Sequence, residues 1–405
     1  MLGSGPGTSE PSPRGPEVAP FHESPPEEIA ERIAEIRSLE FEEVTEVRML
    51  DEEEFTDRVR RSAARSERRN RPELDQAIAV QALLKLGGLA DPDFDVEQAA
   101  AGLGELIGGF YAARGNRLVI IEQSLETPRG REQTTAHELE HALQDQHFPR
   151  VLREKRTEER SSEQDLAISA LIEGDATVVE HRYSRRYLGL DPLGIDKSLL
   201  SPANVGGELP PALVASVRFP YTAGADFVTA LRRRGGWGLV DLAFADPPTT
   251  SEQILHSGKW LAQEGAERVP AVRASALGPG WELIGSTDSG ELDAIVILAS
   301  GAPADLAERA AKGWDGGRFD VFRRAGTESC PGVCRRSRAA AITYRFETGA
   351  DGAEFEAVAG VYLGTLVPRR AAHVQVRNRT ATIAFAPTPG LARRLAAAAL
   401  AKSGS

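Results

Sequence analysis

The spacing of hydrophobic and polar residues changes along the chain, and the change falls near residue 275. Before it, apolar residues recur every three or four positions, which is typical of amphipathic helices. After it, short strand-like runs alternate with alanine-rich helical segments. We therefore expect an α+β fold, with a mostly helical domain over residues 26–275 and a small α+β domain over residues 276–405. Residues 1–25, rich in Pro, Gly, Ser and Glu, are expected to be disordered.

Helices dominate the expected first domain. One opens at Pro25-Pro26, and Ile29, Ile33 and Ile36 define its apolar face. Further helices are predicted over residues 51–66, 72–86, 95–107, 165–187 and 221–233, with a strand over 44–50 and a charged loop over 150–164.

A β-hairpin is predicted between these helices. Gly108–Tyr111 and Leu118–Ile121 flank Arg114-Gly115-Asn116, which is a turn sequence. This hairpin suits an edge strand that pairs with an extended peptide, although a purely structural hairpin fits equally well.

The second domain is expected to contain five strands and four helices and no catalytic cluster. The strands are predicted over residues 282–285, 318–323, 341–347, 372–376 and 380–386. The helices are predicted over residues 291–299, 303–312, 352–363 and 388–401.

The motif His-Glu-x-x-His occurs once, within Thr134–Phe148. On an α-helix, residues four apart lie on one face, so His137 and His141 would present two imidazoles to one Zn²⁺ ion. Glu138 is rotated by about 100° from the first histidine. It can therefore reach a water molecule at the metal without binding the metal itself, as a general base requires.

A catalytic zinc ion needs a third protein ligand, and two residues are candidates. His147 completes the spacing of the metzincins, but Gln144 replaces the glycine of their turn, and Met1 and Met49 leave no methionine downstream. Peptide deformylases need an upstream cysteine ligand, which the chain does not have. We favour Glu173, which lies on a second predicted helix beyond a loop that lets the chain return.

The motifs around these residues resemble those of a known family. The segment from His137 to Asp145 looks like the active-site helix of the thermolysin-like gluzincins, and Glu173-Gly-x-Ala176 is similar to their glutamate-ligand motif. The fuller run Ala-His-Glu-Leu-x-His-Ala-Leu-Gln-Asp-Gln-His-Phe resembles an uncharacterised bacterial branch. The resemblance covers about residues 107–181 and implies a zincin-like domain that hydrolyses peptide bonds. Thermolysin's Asn-Glu-x-x-x-Asp context is missing, since Ile172 precedes Glu173.

The groups that would orient the ligands must therefore differ from those of thermolysin. Asp145, one turn beyond His141, is the candidate to hold a ligand imidazole, with an exposed polar role as the alternative. Asp175, Glu180 and His181 share the second helix, and we expect them to be surface or supporting groups rather than ligands.

The tetrahedral oxyanion of peptide hydrolysis needs a further hydrogen-bond donor. In thermolysin-like enzymes a distal histidine and a tyrosine donate these hydrogen bonds. In this chain the candidates for that role are His256, Tyr221 and Tyr111. We prefer His256, because it ends an unusually polar, turn-rich segment. The expected catalytic residues are thus Glu138 and His256.

Composition and charge restrict the kinds of partner that we expect for this protein. The 405 residues carry a net charge of −12 without a dense Lys/Arg stripe, which argues against a nucleic-acid partner. No apolar run reaches the length of a membrane span, and no signal peptide is visible, although the family resemblance would suit the cell envelope or the extracellular space. Cys330 and Cys334 fit either a small disulfide loop or two free thiols, and we lean to the disulfide.

We expect a zinc metallopeptidase that acts on a peptide or protein substrate. The alternative is a catalytically silent binding scaffold stabilised by zinc, and hydrolysis of a non-peptide amide is a third option. Glu138 favours the enzyme, because a structural zinc site has no need of a general base.

Overall fold

A computed structural model describes residues 21–43, 45–50, 54, 71–95, 109–112, 115–121, 127–153, 160–190, 209–327, 334, 336–366 and 371–402. The helices are α1 (Pro26–Arg37), α2 (Arg71–Gly87), α3 (Pro128–His147), α4 (Pro149–Arg153), α5 (Ser162–Tyr183), α6 (Pro211–Ala245), α7 (Ser251–Leu255), α8 (Ser257–Leu261), α9 (Glu291–Ala299), α10 (Ala304–Ala311), α11 (Gly349–Thr365) and α12 (Pro389–Lys402). The strands are β1 (Glu46–Leu50), β2 (Gly109–Ala112), β3 (Arg117–Ile121), β4 (Trp281–Asp288), β5 (Trp314–Arg324), β6 (Arg338–Phe346), β7 (Ala372–Arg377) and β8 (Thr380–Phe385). A π-helical turn, Ser184–Leu188, extends α5.

A small three-stranded sheet, in the order β1-β3-β2, lies against α3. Strands β2 and β3 form the expected antiparallel hairpin, and β1 runs parallel to β3. Gly115 (φ 100°) and Asn116 (φ 44°) adopt the left-handed conformation that a tight hairpin turn requires. The predicted hairpin is therefore confirmed, with β3 in the centre of the sheet and β2 at one edge.

A five-stranded antiparallel sheet, in the order β4-β5-β6-β8-β7, forms the second part of the chain. Its central strands are buried on both faces. Ala339 and Ala341 of β6 pack with α12, whereas Ala340 and Ile342 face the main apolar cluster. This alternation is the two-residue period of a strand, and it explains why the predicted strands and helices of this part are confirmed.

Helices α3, α5 and α6 pack together in the first part. Helix α6 begins ten residues before the predicted start, and Pro220, expected to precede a new helix, lies buried inside it. The expected turn at Gly235-Gly236 is present as a kink with non-helical backbone angles. The chain thus combines helices with two separate sheets, which is compatible with the α+β class.

The apolar core crosses the predicted boundary near residue 275. One cluster of buried side chains contains Leu171 and Phe227 from the helical part together with Leu292 and Ile297 from the sheet part. Independent folding of residues 276–405 remains a prediction that limited proteolysis would test.

Two other expectations need correction. Residues 1–20 lie outside the described part of the chain, but the end of the segment expected to be disordered is packed, because the Ser24 backbone N–H donates to Glu132 on α3 (2.8 Å). The segment expected to be a charged loop begins with α4, although its residues 154–159 are not described. The helices predicted over 51–66 and 95–107 fall almost wholly outside the described residues.

Candidate metal centre

Helix α3 is fixed by its first turn and its apolar face. Pro128 occupies the first helical position, and the Thr127 hydroxyl accepts a hydrogen bond from the Gly130 backbone N–H (3.1 Å). As expected from the sequence, Ala136, Leu139 and Leu143 are buried, and they pack with α1 and β3. Burial of this face turns both motif histidines toward α5.

The structure brings the three expected metal ligands together. The ring nitrogens of His137 and His141 and a carboxylate oxygen of Glu173 all lie within 4.8 Å of one another. Glu173 Oε2 is 3.3 Å from His137 Nε2 and 3.4 Å from His141 Nε2. The three side chains are 13%, 12% and 22% exposed, so the cluster is shielded but accessible to an ion from solvent.

Each histidine is held through its other nitrogen. His137 Nδ1 lies 2.9 Å from Glu180 Oε2, and His141 Nδ1 lies 3.0 Å from Gln144 Oε1. Both partners accept hydrogen bonds, so each Nδ1 carries the proton and each Nε2 is directed at Glu173. This arrangement of an oriented imidazole backed by an acceptor is the usual environment of a histidine metal ligand.

The supporting residues could have been found from helical spacing. Gln144 is one turn from His141, and Glu180 is two turns from Glu173 on the same face of α5. The sequence predicts a surface or supporting role for Glu180 but not its partner. Asp145 is the expected candidate to hold an imidazole, with an exposed polar role as the alternative, whereas in the structure Gln144 holds His141 and Asp145 accepts a hydrogen bond from the Tyr111 hydroxyl (2.9 Å).

Gln144 also connects the two ligand-bearing helices. Its amide donates to the Ile172 carbonyl oxygen (3.0 Å) and to Asp175 Oδ2 (3.2 Å) on α5. The residue before Glu173 is thus tied to the residue that orients His141. This connection fixes the distance between helices α3 and α5 at the cluster.

A buried arginine lies behind this connection. Arg37, at the end of α1, is fully buried and contacts Asp175 (3.1 Å), Glu140 (3.6 Å) and Asp241 (2.7 Å). Its guanidinium also stacks on Trp237, 4.6 Å from the ring centre. One cation therefore joins the histidine helix, the glutamate helix and α6.

The contact between α5 and α6 depends on two glycines. A Cβ atom at Gly174 would lie 2.2 Å from the Gly224 backbone, and one at Gly224 would lie 2.0 Å from the Ala170 carbonyl oxygen. The two backbones therefore touch beside Glu173. This approach brings Tyr221, one turn before Gly224, to the metal cluster.

The ring of Tyr221 lies 6.2 Å from that of His137, and its hydroxyl interacts with Glu173. Burial, followed by the charges of Glu173 and Glu138, raises the pKa of Tyr221 above its ordinary value. A phenol is protonated at neutral pH, so Tyr221, which is 44% exposed, is available as a hydrogen-bond donor.

The electrostatics of the cluster favour positive charge. Burial opposes ionisation of Glu173, but His141 and His137 outweigh it and lower the pKa of the carboxyl group. Burial also lowers the pKa of His137, but hydrogen bonds to Glu173 and Glu180 raise it well above the ordinary value. Glu138, which is 8% exposed, acts on both histidines through its charge. A divalent cation fits this donor set of two imidazoles and one carboxylate.

The structure does not bring His256 to the cluster. Its Nε2 lies 3.0 Å from Glu291 at the start of α9, and that hydrogen bond raises the pKa of His256 while burial opposes the change. Helix α7, which leads into His256, is joined to α5 at Glu163 through Ser251. Glu173 lies about 15 Å further along α5. The structure therefore places Tyr221, and not His256, beside the cluster, because a polar, turn-rich sequence does not reveal which element it packs against.

His147 is also not among the candidate ligands that the structure brings together. Its Nε2 lies 2.7 Å from the backbone carbonyl oxygen of Glu40.

Cys334 is disulfide-bonded, and the sequence contains one other cysteine, Cys330. This agrees with the disulfide interpretation.

A cavity of about 840 Å³ adjoins the cluster. Tyr221 and Glu180 line it, so a molecule in the cavity would lie beside the candidate ligands.

In the part of the chain that the structure describes, no helix has the length and apolar character needed to cross a membrane.

Comparison of the chain with protein-family models, with curated protein sequences and with solved structures gave no match.

Proposed function

We propose that this protein is a zinc-dependent peptidase of the gluzincin type, with a zincin-like catalytic core. The observation that carries the proposal is the orientation of the two imidazoles. Glu180 and Gln144 hold each Nδ1, so that both Nε2 atoms meet at Glu173. His137, His141 and Glu173 would hold the metal ion, and a fourth position would remain for water or substrate.

The residues around the cluster suit peptide hydrolysis. A zinc ion held there would supply Lewis-acid activation of a water molecule and of the scissile carbonyl group. Glu138 would take a proton from that water and deliver it to the leaving amine. Tyr221, protonated and next to Glu173, would donate a hydrogen bond to the developing oxyanion.

The proposal differs from a silent zinc scaffold in its use of Glu138 and Tyr221. Neither residue is needed to close a structural metal site, which would usually take a fourth protein ligand. The cavity beside Tyr221 gives a substrate access to the cluster. The arrangement thus contains a base, an oxyanion donor and an open side.

Replacement of Glu138 by Gln tests the proposal. This change preserves shape and removes the base, so cleavage of a mixed peptide library should fall by roughly 10²–10⁴-fold while bound zinc is retained. Mass spectrometry of the products measures cleavage, and elemental analysis measures zinc. His147→Gln is the matched control and should retain both zinc and activity, since the contacts of His147 in the described part of the chain are with the Glu40 carbonyl oxygen and the Phe148 ring and not with the candidate ligands.

A chelator followed by zinc restoration completes the experiment. Wild-type protein that holds zinc and cleaves nothing would favour the scaffold. Equal activity in wild type and Glu138→Gln would show that the cleavage arises elsewhere.

A further inference from the structure

The cavity beside the metal cluster extends away from it between two helices. It is bounded by the end of α5 with the π-helical turn on one side and by α6 on the other. Glu180 and Tyr221, which contact the candidate ligands His137 and Glu173, line the end nearest the cluster. A peptide that places one bond at the cluster would therefore place a neighbouring side chain in this cavity.

The lining of the cavity is strongly basic. Five arginines line it, namely Arg182, Arg185, Arg186, Arg232 and Arg233. Only two carboxylates share the lining, Glu180 and Asp226, and the first is engaged with His137. This concentration of positive charge lies in a chain whose net charge is −12. Such local charge attracts anionic ligands and raises their concentration at the site.

Several of these arginines lie close enough to act on one another through their charges. Partial burial, followed by the charges of Arg232, Arg186 and Arg185, lowers the pKa of Arg182. Positive charges brought together in this way destabilise one another, and a bound anion would relieve the repulsion. Arg186 has a salt bridge to Glu35 (2.8 Å), but both side chains are more than half exposed, so this bridge neutralises little of the field.

Arg232 is oriented and incompletely hydrogen-bonded. Its guanidinium stacks on Trp237, 5.5 Å from the ring centre, which limits its freedom. Its Nε is buried and has no hydrogen-bond partner among the described residues. The planar guanidinium group is well suited to two parallel hydrogen bonds with a carboxylate.

We infer that this basic cavity binds an acidic side chain of the substrate, so that the enzyme prefers peptides with glutamate or aspartate close to the cleaved bond. The inference rests on the proposed peptidase function, since it names the substrate class of that site. Tyr221 and the apolar wall residues Val178 and Ala225 make the cavity suitable for a peptide rather than for a small free anion.

Paired peptides test the preference. Quenched fluorescent peptides that carry either glutamate or glutamine at one position, scanned along the peptide, are assayed with zinc-loaded protein. At the preferred position, kcat/KM should be at least tenfold higher for glutamate in wild type. The double variant Arg182→Gln plus Arg233→Gln should lose this difference, because kcat/KM for the glutamate peptide should fall by about tenfold.

The chain provides a matched control. Arg234 is exposed, follows Arg233 directly and does not line the cavity. Arg234→Gln makes the same chemical change one residue away and should retain the glutamate preference. Cleavage without any glutamate preference, or a preference that Arg234→Gln removes equally, would overturn the inference while leaving the peptidase function intact.

A binding assay separates the two proposals. Binding of the labelled glutamate and glutamine peptides to zinc-loaded Glu138→Gln is measured by fluorescence anisotropy. This assay does not depend on cleavage of the peptide. Arginine-dependent preference for glutamate here would support the cavity assignment even if wild type cleaves nothing. Displacement of the glutamate peptide by inorganic phosphate at equal concentration would overturn it, because the cavity would then be a general anion site.

Discussion

The two parts of this molecule are held together by different interactions. Around the candidate metal cluster, a buried arginine and three carboxylates join the helices, since Arg37 contacts Glu140, Asp175 and Asp241. In the five-stranded sheet, the central strands β6 and β8 are buried mainly through apolar side chains. Buried charges are costly, and here Arg37 Nη1 and both carboxylate oxygens of Glu140 have no hydrogen-bond partner among the described residues. The helical part is thus joined by charged groups at a cost in stability, whereas the sheet is joined mainly by apolar contacts.

Two histidine–glutamate pairs, one in the candidate metal cluster and one away from it, differ in their surroundings. His137 lies 2.9 Å from Glu180, and His256 lies 3.0 Å from Glu291. Among the residues that the structure describes, only the first pair has a second histidine and another carboxylate at the free side of its ring. The pair alone is therefore a structural contact, and function depends on what the other ring nitrogen faces.

Removal of the buried cation should have the largest effect. Arg37→Met leaves Glu140, Asp175 and Asp241 without their cation, and we expect unfolding free energy to fall by about 3–5 kcal/mol. Chemical denaturation of the full chain measures this change. Arg318→Met is the control in the sheet, because Arg318 is partly exposed and pairs with Asp320 alone among the described salt bridges, and it should cost about 1 kcal/mol or less. Equal losses would contradict the contrast between the two parts.

The two histidine–glutamate pairs should respond differently to loss of charge. Glu180→Gln weakens the group that orients His137, so zinc affinity should fall by about 10–100-fold. Glu291→Gln makes the same change beside His256 and should leave zinc affinity unchanged. Competition with a fluorescent zinc chelator measures both, and similar losses in the two variants would remove the distinction.

The glycine contact should have a smaller effect. Gly224→Ala pushes α6 away from Ala170, at an expected cost of about 1–3 kcal/mol, and moves Tyr221 from Glu173. Activity should then fall while zinc is retained. Gly238→Ala lies on the same helix, where an added Cβ meets nothing within 4 Å, and should be neutral or slightly stabilising. Unchanged activity in Gly224→Ala would show that Tyr221 has no part in the reaction.

The sequence predicted local features of this structure well. Strand periodicity identified β4 to β8, and the spacing of His137 and His141 identified the cluster, because both depend only on neighbouring residues. Glu173 could be predicted as well, because its motif and its helix also depend on neighbouring residues. Even so, the ends of α5 and α6 were displaced from the predicted positions, since helix ends depend on packing as well as on Pro and Gly.

Long-range contacts were not predictable in this way. Arg37 and Asp241 are far apart in the chain, and nothing local marks them as partners. The same holds for Gly174 and Gly224, and for the choice between Tyr221 and His256. These features depend on how α1, α5 and α6 pack, which periodicity does not specify.

Zinc stoichiometry tests the central claim most directly. Elemental analysis of purified wild-type protein should give about one zinc per chain, and Glu173→Ala and His141→Ala should each lose it. His147→Ala should retain it. Full zinc retention in His137→Ala plus His141→Ala, or loss in His147→Ala with retention in Glu173→Ala, would contradict the site described here.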